Sequence, residues 1–537
     1  MTSQKEYNYT YENGILMRAT ECKITLDGSI ITSRYLSHSI RYYYDSEGQL
    51  VRKVITPSIG SEQTVYYDTK DGNTVVKFLA DGKTIVSHSK TDSFGRKEFE
   101  ELQIGYASIS RHFEYSNGEV PSLNKLHGTM KSMPTTQLVS RIIFSNGRTI
   151  EYEYDAEERI TKVIDSVDGT TEYTYDALGQ LLTETVNSEV VNTMTYDSYG
   201  NILTKNGKTY TYDSTWKDLL TSVDGQSITY DAQGNPTSYL GHTLTWEKGR
   251  QLKSFDGITY TYNANGIRTS KTVNGVKHTY ELEGTKILRE TWGNNTLIPL
   301  YDNEDSICGI CYNNFSYYFR KNQQGDVIAI VNRLGEDVAM YSYDAWGVCT
   351  EATTNTELTL GIDIANINPF RYRGYYYDAE IGLYYLQSRY YNPVVGRFVN
   401  GDDMQMFTVS SDVRCNLYVY CNNTPTMDAD ILGNIGWASL LKVLQYIFDF
   451  IIQIAKTATR MSNEMADIIN SIKKSKRSGK SKDWIKQLKE KKKNLMSAKK
   501  NGCRQNQYYC NIIGIVFDRI PLFVIHKKGY RWCFLFG

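Results

Sequence analysis

Alternation of apolar and polar positions dominates most of the chain. Stretches such as "YTYD" and "ITYD" place Tyr or Ile at every second position, which is the period of a strand. Asp, two variable residues, Gly and then Asn or Gln follow, and a second alternating stretch closes the unit. Asp caps such a turn with its side chain, and Gly supplies the positive φ. Each unit therefore predicts a β-hairpin. "YEYDAEERITKVID" recurs as "YTYDALGQLLTETV", "MTYDSYGNILTKNG", "YTYDSTWKDLLTSV" and "ITYDAQGNPTSYLG", then more loosely as "YTYNANGIRTSKTVNG". The Tyr-Asp pairs start at Tyr154, Tyr175, Tyr196, Tyr212 and Tyr230, and a Tyr-Asn version starts at Tyr262. The last interval spans two units, with Trp246-Glu247 marking the middle one. "YYYDSEGQLVRK" and "VYYDTKDGN" are earlier members. One hairpin cannot bury its own apolar face, whereas stacked hairpins can. A long antiparallel sheet built this way twists and curls, and its edges need cover.

The pattern changes after Gly433. In "WASLLKVLQYIFDFIIQIAKTA" the polar residues Lys442, Gln445, Asp449, Gln453 and Lys456 fall on one stripe of a helix. Such a helix buries its other faces in a domain core. Membrane contact through Leu440 to Ala455 is the rival reading, because the stretch approaches the roughly 20 residues of a span; its charged residues argue against that. "IKKSKRSGKSKDWIKQLKEKKKNLMSAKK" is basic, breaks at Ser478-Gly479, and can be helical from Ser481 with Trp484, Leu488 and Leu495 on one side. It reads either as a surface for phosphates or anionic lipid or as the solvated face of a small domain. "PLFVIH" and "YRWCFLF" flank "KKG" as a hairpin. The tail thus predicts helices followed by a small sheet.

Charge sharpens this division. The formal net charge is zero, but residues 435–537 hold 21 Lys and Arg against 6 Asp and Glu. An acidic body is joined to a basic tail, with the boundary near Gly433–Asn434. The body is unusual in its tyrosine: the chain has 44, against 17 phenylalanines. The opening "MTSQKEYNYTYENG" has no apolar core, so it does not read as a secretory signal. Nine scattered cysteines do not form a disulfide framework. Cys308 and Cys311 make a lone CxxC without a second pair, better read as strand alternation than as zinc ligands.

Tyrosine is densest in "NPFRYRGYYYDAEIGLYYLQSRYYNPVVGRFVNGDD", from Asn368 to Asp403, just after "YYFRKNQQGDVIAIVNRLGEDVAMYSYDAWG". With the Tyr-Asp repeats, these stretches resemble the Rhs/YD-repeat family of polymorphic toxins, which also includes the teneurins and the C subunits of insecticidal toxin complexes. The resemblance covers about Arg41 to Gly433. It implies a mainly β fold: hairpins spiralling into a shell, complete or incomplete, an associated core plugging one end, and a small α+β C-terminal domain. The implied divisions are 1–320 for the repeat shell, 321–433 for the core and 434–537 for a variable tip. The tyrosines become wall and plug, with rings packed between strands and hydroxyls facing a polar lumen or solvent. A carbohydrate-binding aromatic face is the rival reading.

The resemblance also gives the aspartates a role. Bacterial toxin members pair an Asp after the G-R-F motif with one in a downstream P-x-x-x-x-D-P-x-G motif, as an intramolecular aspartyl protease. Here Gly396-Arg397-Phe398 leads to Asp402, and "NNTPTMDADILGN" supplies Pro425, Asp430 and Gly433. Ile431 replaces the proline after the Asp, which removes a φ constraint, and Asp428 adds a third carboxylate. The chemistry needs one carboxyl protonated while the other activates water. The expected cut lies past Gly433, between Asn434 and Leu441. Arg397 is a candidate for holding the site together. The bland alternative makes these aspartates turn caps.

Family logic makes the tail an effector. His526, its one histidine, is flanked by Arg519, Lys527, Lys528, Tyr530 and Arg531, and is a candidate general base for a metal-independent nuclease or a structural residue of a hairpin. The implied partners are a cognate immunity protein, nucleic acid as target, and secretion machinery; the implied location is secreted or on the bacterial surface. No cofactor and no metal site is expected. A membrane-active tip and a non-enzymatic surface or adhesion protein are the competing readings.

Overall fold

The structure is a computed structural model. It describes residues 2–12, 15–27, 30–57, 62–68, 73–80, 83–92, 96–104, 107–120, 133–302, 304, 306–402 and 416–430. They belong to one compact unit, Met1–Met404 with Arg414–Ala438. The tail with His526 and Leu440 to Ala455 lies outside the described residues, as do Asp403 and Ile431.

The fold is mainly β. Among the described residues, thirty-two strands, from Thr2–Glu12 to Cys349–Thr354, run as one antiparallel meander in which each pairs with its neighbours in sequence. The hairpins have two kinds of end. At one, Asp176 accepts the N–H groups of Leu178 (2.8 Å) and Gln180 (2.9 Å) with a single carboxylate oxygen, while Gly179 takes φ +82°. Asp45, Asp155, Asp197 and Asp231 repeat the arrangement, and so do Asn263 and Asn332, whose amide oxygens accept equally well. The other end is a two-residue turn with both φ positive, as at Asn206-Gly207, Asp224-Gly225 and Asn274-Gly275. That geometry matches strand twist and favours Asn-Gly and Asp-Gly.

The repeat tyrosine has a destination that alternation did not disclose. Its hydroxyl turns back to a main-chain carbonyl of the preceding unit: Tyr196 to Leu181 O (2.6 Å), Tyr212 to Ile202 O (2.8 Å), Tyr230 to Leu220 O (2.6 Å) and Tyr262 to Leu252 O (2.9 Å). At the variant unit, Trp246 does the same with its indole N–H, 2.6 Å from Pro236 O. The expectation that these hydroxyls face a lumen or solvent is therefore corrected. A half-buried phenol needs an acceptor, and it finds one at the start of the strand one hairpin back. Replacing Tyr230 by Phe removes one such bond and should cost about 1 kcal/mol, read as a lowered urea midpoint; an unchanged midpoint would mean the bond adds nothing net.

The meander curls until distant strands pack together. Val65, Leu102, Ile104 and Ile109 share an apolar cluster with Leu300, Cys308, Tyr318 and Val331, and Arg111 donates to Lys321 O (2.7 Å) and Asn322 O (2.9 Å). Cys308 and Cys311 both lie buried in the strand Ile307–Tyr312. Among the described residues no group of His, Cys, Asp or Glu is arranged to hold a metal ion, and no helix is long and apolar enough to cross a membrane.

The main core joins the repeats to the segment after Ile364. That segment folds a small antiparallel sheet from Tyr376–Asp378, Leu383–Tyr385, Tyr390–Asn392 and Arg397–Phe398. It is fixed to the wall by polar contacts across many repeats: Lys205 Nζ to Pro393 O (2.9 Å), Tyr210 Oη to Val395 O (3.1 Å) and Tyr418 Oη to Gly234 O (2.8 Å).

Candidate active site

Asp402 follows the last strand of the small sheet, and residues 416–419 run beside it. Phe398 N–H donates to Tyr418 O (2.9 Å) and Asp402 N–H to Leu417 O (3.0 Å), so the backbone leading to Asp402 is tied to that segment at two points. Beyond that, the chain to Asp430 is threaded along the repeat turns. Asn423 Nδ2 donates to Gly200 O (2.7 Å) and Gln180 Oε1 (2.9 Å), and Thr424 Oγ1 to Gly179 O (2.8 Å). Arg373, paired with Asp326 at 3.2 Å, also donates to Pro425 O. The end is fixed by Tyr375, whose hydroxyl accepts the Asp430 N–H at 2.7 Å.

These constraints bring Asp402 and Asp430 to one guanidinium. Arg389 Nη2 lies 3.3 Å from Asp402 Oδ2 and 3.0 Å from Asp430 Oδ2. Its Nη1 donates to Leu417 O at 3.1 Å, and its plane lies 3.5 Å from the centre of the Phe398 ring. Asp402 and Asp430 are 4% and 2% exposed, so both carboxylates are buried. Burial pulls the Arg389 guanidinium below its ordinary value, against the opposing pull of Asp402 and Asp430. Arg250, the next cation, donates to the main-chain carbonyls of Gly401 and Asp402.

Arg397 is placed elsewhere. Its Nη2 donates to Asp218 O at 2.8 Å, and its guanidinium lies 5.1 Å from the Tyr212 ring; it ties the G-R-F strand to the wall. Asp428 is buried near the Cys421 thiol, which burial pushes up, with Asp428 and Asp430 adding to the effect. Arg389 escaped the sequence reading because its partners are 13 and 41 positions away. The usable signal was an arginine inside a tyrosine-rich apolar run with no carboxylate beside it, which demands a remote anion.

The two carboxylates lie after a repeat wall and a tyrosine-rich core, and the teneurin YD-shell model matches residues 2–426 of the chain. The chain belongs to the teneurin YD-shell family. Within it, the resemblance to Rhs/YD-repeat polymorphic toxins stands on named relatives. The tRNA3(Ser)-specific nuclease WapA of Bacillus spizizenii is 35% identical over 246 residues, which is 43% of this chain and 10% of that protein. Toxin protein Tse5 of Pseudomonas aeruginosa is 39% identical over 65 residues, 12% of this chain and 5% of that protein. The chain thus spans a tenth or less of the length of these relatives. A crystal structure of TcdB2-TccC3-Cdc42 is similar at a TM-score of 0.58 and 18% identity, over 78% of this chain and 23% of that one. At that identity the likeness concerns the YD-shell fold alone.

Proposed function

We propose that this chain is the shell-and-release part of a polymorphic toxin. Residues 1–320 and 321–433 form a YD-repeat wall with its core, and residues 434–537 are the effector they carry. Asp402 and Asp430 cut the chain past Gly433, between Asn434 and Leu441. The observation that carries this reading is the convergence of two buried aspartates on Arg389 from positions 28 residues apart. Two carboxylates and one touching guanidinium leave one negative charge uncompensated, and a single proton held by the pair offsets it. One carboxylate then takes a proton from water as the water oxygen bonds to the scissile carbonyl carbon. The other carboxyl gives its proton to the departing nitrogen as the C–N bond breaks, leaving an acid and an amine.

The freed tail, with its 15 excess positive charges, would act on nucleic acid of a competing cell, in keeping with the nuclease activity in the name of the WapA relative. His526 is the candidate base. A cognate immunity protein and secretion machinery would be its partners, and the secreted state or the cell surface its location. A second reading has its own support: Arg389 reaches both carboxylates, which also suits a static clasp.

Intact mass of the purified chain beside Asp430→Ala separates the two. Wild type split just past Gly433 with the variant whole supports the protease. Both chains whole would sink it and leave the clasp. Release of a tail that degrades no RNA would overturn the nuclease assignment, and undiminished activity in His526→Ala would overturn His526 as its base.

A further inference from the structure

Three consecutive carbonyls of one wall turn are each taken by a tyrosine of the core segment. In the turn Asp344–Val348, Asp344 Oδ1 accepts the N–H groups of Trp346 (3.0 Å) and Val348 (2.8 Å). Tyr372 donates to Ala345 O (2.8 Å), Tyr391 to Trp346 O (2.7 Å) and Tyr384 to Gly347 O (2.9 Å). Gly347, at φ +89°, lies so close to Tyr372 that a Cβ there would meet the ring at 2.6 Å. Trp346 is fully buried against Gly396 of the core, where an added Cβ would stand 3.0 Å from the indole.

The amide side of the same turn belongs to the wall. Both oxygens of Glu184 accept the Ala345 N–H, at 2.9 and 3.0 Å. Asn192 Nδ2 bridges Glu184 Oε2 (2.7 Å) and Asp344 Oδ2 (3.0 Å). Lys205, the cation facing both carboxylates, gives its ammonium to the core carbonyls of Pro393 (2.9 Å) and Val394 (3.1 Å). The phenols of Tyr173 and Tyr175 face Glu184, and that of Tyr391 faces Asp344. The turn is thus a bridge, tied to the wall through its N–H and to the core through its carbonyls.

We propose that the Glu184–Asp344–Lys205 cluster is a pH-responsive latch that sets how firmly the core segment is seated on the wall, tight in acid and loosest near neutrality. Burial and then Asp344 raise the Glu184 carboxyl to about 7. Burial lowers Lys205 to about 8, against Asp344 and Glu184, with Lys208 adding to the lowering. With Glu184 protonated, Asp344 and Lys205 balance. Once it ionises, a buried negative charge is left over. The seated state holds its Glu184 proton up to about pH 7, while an opened state releases it near the ordinary glutamate value. Seating therefore weakens as pH rises through that window and levels above it. Lys205 works oppositely: the seated state gives up its proton first, so seating firms again above about pH 8.

Hydrogen exchange of the full chain tests this, followed by mass spectrometry on peptides spanning residues 383–398 and corrected for intrinsic rates. Relative to Glu184→Gln, wild-type opening should rise by up to about tenfold per pH unit between about pH 5 and 7, then level. In Asp344→Asn the rise should end at lower pH, because the neighbouring charge is gone; Asn already fills the equivalent turn position at Asn263 and Asn332. A wild type and a Glu184→Gln variant with the same pH profile would overturn the latch. So would an Asp344→Asn profile that ends where the wild type's does, and this second comparison decides if the first variant fails to fold.

Discussion

Arg389→Met should destabilise the compact unit by about 3–5 kcal/mol, the cost of leaving buried charge without its partner. Its guanidinium is the group in contact with both Asp402 and Asp430, and both carboxylates are almost fully buried. Without it, the buried charge on this pair loses its touching cation, which weakens the hold of the segment 416–430 on the wall. Adding Asp402→Asn and Asp430→Asn to the same chain should recover most of the loss, because the charges that needed compensation are then absent. Urea midpoints of the single and triple variants measure both. A single variant as stable as wild type would show that Arg389 is not the compensating charge. Recovered stability in the triple variant would show that the structural role of Arg389 is to compensate these two charges.

Asp378→Ala should cost a similar amount, about 3–5 kcal/mol, at the other end of the core segment. Asp378 is fully buried, with Arg268 Nη1 at 2.5 Å and Lys271 Nζ at 2.8 Å. Arg268 is enclosed by aromatic rings, with Tyr385 at 4.2 Å and Tyr376 at 5.0 Å. The rings attract the cation but do not replace its anion. Burial pushes the Asp378 carboxyl up, yet Arg268 and Lys271 outweigh it and hold the group below its ordinary value. A depressed folded value means that this contribution is present above the unfolded carboxylate range and is lost as pH falls through the folded value. The acid limb of the stability profile should therefore flatten in Asp378→Ala. An acid limb identical to wild type would show that this ion group does not govern it.

The sequence by itself determined the hairpin units, because every signal for them is local. An Asp or Asn caps its own turn within four residues, as at Asp176 and Asn263, and alternation is a property of neighbours. The division of charge between body and tail was equally plain, and the spacing of Asp402 and Asp430 was legible through the family resemblance. Tertiary structure alone decided where the polar ends of those local patterns go. The hydroxyl of Tyr230 and the indole N–H of Trp246 each find a carbonyl one hairpin back, a destination set by how units stack and invisible within a unit. Arg397, the arginine of the G-R-F motif, was the nearer candidate for the aspartates, but it is drawn to the wall at Asp218. Arg389 reaches them because residues 416–430 fold back along the turns. Buried charges and phenols must find partners wherever the chain brings them, and in a curled meander those partners lie tens to hundreds of residues away.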